Sequence, residues 1–281
     1  MGEQNEWLQF DPQGSLFSLE YIERTGPFRM ATDHYHNFYE MYVLLSGERR
    51  YFIRDRSYHI QPGDIVLVDK QAVHQTSDAG SPSHQRIVIY FYEAFLRQYY
   101  KNEADYLLSV FKRENPVCRL PAKARLQLDA VSERIMQELR ARAPGQETAI
   151  RHAVVDLMLL AARHDEQEEA APPLDTPLYR KMTEIAQFIN SHYTEPLTLT
   201  ELAGHFHISP YYLSRMFKQA IGLTLNEYLN ITRIKEAEQL LKDTDMSILD
   251  VSAAVGYNNF SHFGKMFKKL TKVSPRTYRR G

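Results

Sequence analysis

The chain has 281 residues, 43% of them hydrophobic and 25% charged, with a formal net charge of −1. That length supports about two domains with cores of their own, and no apolar run approaches the roughly 20 residues that a membrane-spanning helix needs. The single cysteine, Cys118, excludes an intrachain disulfide and a cysteine zinc cluster.

Residues 1–10 are polar and acidic, without a basic start or an apolar stretch. No secretory signal is read there, and a cytoplasmic location is expected. From about residue 15 to 95 the chain carries the segments LFSLEYI (16–22), MYVLLSG (41–47), RRYFIRDRSYHI (49–60), DIVLVD (64–69) and RIVIYFY (86–92). They are rich in β-branched and aromatic residues and are punctuated by turn signals at 61–64 and 80–82. Short strands at such spacing predict a β-barrel or sandwich.

A helical period takes over for residues 96–164. Leu126, Val131, Ile135 and Leu139 form one apolar stripe, and Ile150, Val154, Leu157, Met158 and Ala161 form another. These helices are expected either to close the open side of the barrel or to supply a dimer seam. The stretch RHDEQEEAAPPLDTP (163–177) is acidic, Pro-bearing and poor in apolar residues, which suits an exposed linker at 165–177. The expected organisation is therefore α+β with two domains, 1–164 and 178–281.

The second domain reads as all-α. Thr176-Pro177, Ser209-Pro210 and Ser274-Pro275 each pair an N-cap hydroxyl with proline at the first helical position. Thr198 with Glu201 and Thr224 with Glu227 fit the capping box, and Ser247 with Asp250 is a weaker version. Charge is divided between the domains as well. Residues 178–281 hold fourteen Lys and Arg against nine Asp and Glu, and after Asp250 there are seven cations and no acid. A cationic domain beside an acidic one fits either a polyanionic partner for that domain alone or a solvated helix face.

This domain contains an internal repeat. RMFKQAIGLTLNEY (215–228) matches KMFKKLTKVSPRTY (265–278) at an offset of 50, and LTELA (199–203) matches ILDVS (248–252) at an offset of 49. One extra residue therefore falls in the turn of the second copy. Each copy, about 198–221 and 247–270, reads as helix, turn, helix. Leu202, Ala203, Leu213 and Phe217 face inward in the first, and Val251, Ser252, Tyr257, Phe263 and Phe267 in the second. Between them, residues 224–241 form one amphipathic helix with Leu225, Tyr228, Ile231, Ile234, Ala237 and Leu241 on its apolar face. At 1.5 Å per residue it spans roughly 27 Å, compatible with placing two heads in major grooves about 34 Å apart.

The polar face of the first copy offers Tyr211, Ser214, Arg215 and Lys218. The second offers Asn259, Ser261, His262, Lys265, Lys268 and Lys269. Arg and Lys can read guanine edges in the major groove, while the outer lysines suit phosphates.

Residues 180–280 resemble the double helix-turn-helix domain of AraC/XylS-type transcription regulators. The resemblance rests on YLSRMFK (212–218), VGYNNFSHFGKMFK (255–268) and SPRTYR (274–279). It implies that the second helix of each unit enters the major groove, with Tyr211, Ser214 and Arg215, then Ser261, His262 and Lys265, as base readers. One departure is His207, which stands where the second copy has the turn glycine Gly256.

The first domain resembles a cupin, a small β-barrel. His34, His36 and Glu40 precede Gly47 as in the first cupin motif, and Pro62-Gly63-Asp64 leads to His74 as in the second. Gly26 is displaced from the usual glycine position, and Asp69 and Gln71 replace the second motif's Pro and Gly. Residues i and i+2 of a strand share a face, so His34 and His36 can both look inward, joined by Glu40 and His74. Three imidazoles and a carboxylate suit a divalent Zn, Fe, Ni or Mn ion. They equally suit a polar pocket for an organic effector, or a hydrogen-bonded remnant, and no cofactor is required.

The resemblance implies a regulator of promoter DNA controlled by a small-molecule effector, a sugar being the expected class. It also implies a homodimer, and RNA polymerase as a partner if the protein activates. Two other functions fit the residues: a cupin-type metalloenzyme fused to a DNA-binding domain, and a constitutive DNA-binding protein whose barrel only dimerises. Nothing in the sequence demands catalysis.

Overall fold

The computed structural model describes residues 6–26, 36–70, 72–80, 83–164 and 172–280. His34, Gln71 and residues 165–171 of the expected linker lie outside that set. The chain is α+β and forms two compact units, the chief division falling between Pro173 and Leu174.

In the first unit the strands are β1 (Glu6–Phe10), β2 (Phe17–Arg24), β3 (Tyr39–Ser46), β4 (Arg49–Ile53), β5 (Arg56–Ile60), β6 (Asp64–Val68), β7 (His74–Asp78), β8 (His84–Phe91) and β9 (Val117–Arg119). Six of them form one sheet in the order β1-β2-β8-β3-β6-β9, and three form a second in the order β5-β4-β7. The segment expected as one strand at 49–60 is broken at Arg54, whose φ of 60° turns the chain.

Strand alternation divides the side chains of the large sheet between two cores. Met41, Val43, Ile65, Leu67, Ile87, Ile89 and Phe91 pack against the helices. Tyr42, Leu44, Val66, Val68 and Val88 join Tyr51, Ile53, Tyr58 and Ile60 of the small sheet. The helices of this unit are α1 (Glu93–Tyr99), α2 (Ala104–Ser109), α3 (Ala122–Ala141) and α4 (Gln146–Arg163), with a 3-10 turn at Val110–Lys112. They pack on the outer face of the six-stranded sheet. The buried stripe of α3 is Ala124, Leu128, Ser132, Ile135 and Leu139. Leu126, expected in that stripe, is 71% exposed. It sits two residues from both Ala124 and Leu128, about 200° round the helix from each, and so faces away.

The second unit consists of α5 (Pro177–His192), α6 (Leu199–His205), α7 (Pro210–Ile221), α8 (Leu225–Asp243), α9 (Ile248–Ala254), α10 (Phe260–Thr271) and α11 (Pro275–Tyr278). Every cap read from the sequence is made. Thr176, Thr198, Ser209, Thr224, Ser247 and Ser274 each accept a bond from the third residue onward, with full capping boxes at Thr198 and Thr224. The six apolar positions expected on the connecting helix α8 are all buried. Among the described residues no helix is long and apolar enough to cross a membrane.

Candidate nucleic-acid interface and effector site

The two helix-turn-helix units close their turns with the same hydrogen bonds, 49 residues apart. His207 N–H donates to Gly204 O and Ile208 N–H to Ala203 O, at 3.2 and 3.0 Å. Gly256 N–H donates to Ala253 O and Tyr257 N–H to Ser252 O, both at 3.0 Å. His207 and Gly256 both take a left-handed backbone, φ 54° and 85°. The departure at His207 therefore leaves the turn geometry intact. The extra residue of the second copy falls just after this turn, where Asn258 and Asn259 lead into α10 and Ser209 alone leads into α7.

In α7, Ser209 Oγ accepts from Tyr212 N–H and Pro210 occupies the first helical position. Leu213 and Phe217 are wholly buried, a stabilisation of roughly 2–3 kcal/mol for each such side chain. This fixes which face looks out. Tyr211 (75% exposed), Ser214, Arg215 and Lys218 are all on the solvent side. In α10, Phe263 and Phe267 are buried, and Ser261, His262, Lys265, Lys268 and Lys269 are exposed. Ion pairs within this unit include Arg180–Asp175 and Lys181–Glu184. Among the described residues none engages Arg215, Lys265 or Lys268, so their charges face water. Asn259 has a local task, because its Oδ1 caps α10 by accepting from His262 N–H at 2.9 Å. His262 in turn rests edge-on against Tyr257 at 5.6 Å.

The polar site of the barrel is built on β3, β4 and β7. Glu40 on β3 is 1% exposed and His74 on β7 is fully buried. Glu40 Oε2 lies 3.2 Å from His36 Nε2 and 3.3 Å from His74 Nε2, and Oε1 accepts from the Tyr51 hydroxyl at 2.6 Å. Both imidazoles are oriented from behind: His36 Nδ1 meets Phe38 O at 2.9 Å and His74 Nδ1 meets Ala72 O at 2.8 Å. A carbonyl only accepts, so each Nδ1 carries a proton and each Nε2 turns toward the carboxylate. Burial pushes the Glu40 carboxyl up, but the two imidazoles outweigh it and hold it well below the usual carboxylate range. Burial disfavours the His74 imidazolium, and the Glu40 charge more than restores it, raising His74 above the ordinary value.

His36, Glu40 and His74 offer donor atoms within 4.8 Å of one another, close enough to hold one cation. Two nitrogens and a carboxylate suit a first-row divalent metal, and the backbone carbonyls behind the rings match the support that such ligands receive. The same atoms also pair with one another directly, Glu40 being hydrogen-bonded to His36 and Tyr51 and ion-paired with His74. The structure brings these three together; His34 lies outside the described residues.

Sequence reasoning missed Tyr51 as the partner of Glu40, and it missed the charged interior beyond. Arg49 is fully buried, donates to Thr76 Oγ1 at 3.3 Å and pairs with Asp78. Arg86 is 5% exposed and lies over the Tyr42 ring at 5.7 Å. The usable signal was alternation, because Arg86, Val88 and Tyr90 share one face of β8 while Ile87, Ile89 and Phe91 share the other. Next to His36, which stacks on Phe38 at 3.9 Å, a groove of about 270 Å³ opens between Asp11, Ser15, Ser18, Phe38, Tyr90 and Tyr92.

Fold and surface together define a two-domain regulator, with a cupin-like ligand-binding half and a DNA-binding half that carries two helix-turn-helix units. The family profile described as an AraC-like ligand binding domain matches residues 16–153, and one described as a helix-turn-helix domain matches 202–281. The uncharacterised HTH-type transcriptional regulator YfiF of Bacillus subtilis is 26% identical over 255 residues, covering 88% of this chain and 78% of its own. The melibiose operon regulatory protein of Escherichia coli K12 is 27% identical over 271 residues, 92% and 87% of the two chains. The HTH-type transcriptional activator RhaR of the same strain is 23% identical over 259 residues, 90% and 88%. The chain belongs to the AraC family of transcription regulators.

Proposed function

We propose that the protein is an effector-controlled transcription activator that works in the cytoplasm as a homodimer and performs no catalysis of its own. The carrying observation is the pair of matched heads, each presenting exposed cations to solvent, of which Arg215, Lys265 and Lys268 are engaged by no ion pair among the described residues. Tyr211, Ser214 and Arg215, with Ser261, His262 and Lys265, read bases. Lys218, Lys268 and Lys269 hold phosphates, and Asn259 sets the start of the second reading helix beside them. The barrel takes a small polar effector at the His36–Glu40–His74 triad and the adjoining aromatic groove. A sugar is the favoured class, supported by the name of the melibiose operon regulatory protein and by hydroxyl and aromatic groups suited to such a ligand. The segment 165–177 links the two units, and RNA polymerase is the further partner of the activated state.

The test is binding of the full chain to duplexes of its own promoter across a salt series. With several lysines on phosphates, log affinity should fall against log salt with a slope of about −0.9 per contact. Replacing Arg215 by alanine should cost about 1–3 kcal/mol at one base position, whereas Lys218→Ala should weaken all sequences alike and reduce the slope by about 1. A salt-insensitive chain without sequence preference would defeat the proposal. The triad's donor set supports a second reading, a bound divalent metal, which metal analysis of untagged wild type and His36→Ala protein decides.

A further inference from the structure

The two heads are joined by more than the helix between them. Arg233 on α8 is half-buried and donates from Nε to Tyr193 O and from Nη2 to Glu195 O, both at 2.7 Å. Those carbonyls follow the end of α5 (Pro177–His192), where backbone acceptors have no helical partner and a cation is favoured. The same guanidinium lies over the ring of Tyr257 at 5.4 Å. Tyr257 belongs to the turn of the second head, and its hydroxyl donates to Asn230 Oδ1 on α8 at 2.7 Å. Two further contacts tighten the joint. Tyr193 packs against the core of the second head, and a Cβ at Gly256 would stand 2.6 Å from Thr194 O. The 193–195 loop, which leads into the first head, is thus gripped by the turn of the second.

A helix of nineteen residues fixes a distance of about 28 Å between its ends. It does not fix how a head is rotated about that end. Between α8 and α9 the chain runs through four non-helical residues, 244–247, so the rotation of the second head depends on what holds it against α8. Ile234, Ala237 and Leu241 of α8 share a buried core with Val251, Phe263 and Phe267, and Arg233 and Tyr257 add to this non-directional contact the directional brace. A planar guanidinium can serve two carbonyls and a ring at once, which a lysine ammonium on its flexible stem cannot reproduce.

We propose that Arg233 and Tyr257 are positioning residues that set the rotational phase of the second reading head against the first, so that the protein accepts only duplexes whose two half-elements lie at one spacing. This rests on the reading of both heads as DNA-binding. Each base pair inserted between half-elements moves the second by about 3.4 Å and turns it by about 34°, given a helical repeat near 10.5 base pairs.

The experiment starts from a random 35-bp duplex library selected on the full-length wild-type protein, then measures affinity for the enriched bipartite sequence with zero, one or two base pairs inserted. Wild type should lose at least about tenfold for the first inserted pair, comparable to a mismatched base pair. Arg233→Lys and Tyr257→Phe should reduce that penalty to roughly threefold or less while staying folded, with a melting temperature lowered by no more than a few degrees, and keeping the wild-type preference within each half-element. Variants that bind more weakly but retain the tenfold spacing penalty would overturn the brace. If Arg233→Lys fails to fold, Tyr257→Phe decides, since it removes one hydroxyl and leaves the ring in place. A wild-type protein that enriches no sequence overturns the DNA-reading function itself, a different failure from a protein that enriches one and tolerates insertions as well as its variants do.

Discussion

The two heads reach one turn geometry from unlike residues. His207 and Gly256 hold equivalent positions, left-handed backbones and equivalent hydrogen bonds, yet one bears an imidazole and the other no side chain. The difference lies outside the turn. His207 is exposed, whereas the place of a Cβ on Gly256 is occupied by the Thr194 backbone, with O at 2.6 Å and C at 2.9 Å. A left-handed residue other than glycine costs about 1–2 kcal/mol, which a domain can carry. A Cβ driven into a carbonyl cannot be carried without moving a loop. Glycine in the second head therefore answers to its packing partner more than to the turn.

The largest effect expected from this contrast follows Gly256→Ala. Left-handed strain and the clash with Thr194 together should cost about 3 kcal/mol or more, and they should loosen the brace at Arg233 as well. His207→Ala changes neither the backbone state nor a close contact and should stay within about 0.5 kcal/mol. Calorimetric melts of the two full-length variants measure this. Equal losses would show that the turn, and not the Thr194 approach, sets the requirement for glycine.

What could be read in advance follows the same division between local and distant causes. The N-caps, the faces of α7 and α10 and the apolar stripe of α8 were legible because each depends on residues three or four positions apart. The barrel was less so. β7, HQTSD, does not show the apolar alternation of a strand, because His74 faces Glu40 and Thr76 and Asp78 face Arg49 in a polar interior. β9 has three residues and pairs only with β6, too short to leave a pattern. His36, Glu40 and His74 were singled out, together with His34, through the cupin resemblance, but the Tyr51 partner of Glu40 and the Arg233–Tyr257 brace join residues distant in the chain. Nothing in local sequence marks such pairs.

A smaller effect compares the caps. Ser209 and Asn259 do the same work at the start of α7 and α10, and alanine at either position should cost about 1 kcal/mol of stability. Asn259 carries an amide nitrogen that the cap does not use. Asn259→Ser should therefore keep stability within a few tenths of a kcal/mol while lowering DNA affinity, and titration of the selected duplex separates the two roles. Unchanged affinity would confine Asn259 to capping.

The smallest effect is a gain. His207→Gly relieves the cost of a left-handed non-glycine residue, about 1–2 kcal/mol, but adds freedom to the unfolded chain worth roughly 0.5–1 kcal/mol. The balance should stabilise the protein by about half a kcal/mol, visible as a small rise in melting temperature. The sign carries the argument. Among the described residues the exposed His207 side chain has no close approach across its turn like that of Gly256 to Thr194, so nothing specific should be lost with the imidazole. A loss in stability would mean that the imidazole contributes packing to the first head, and the two turns would then be constrained from outside alike.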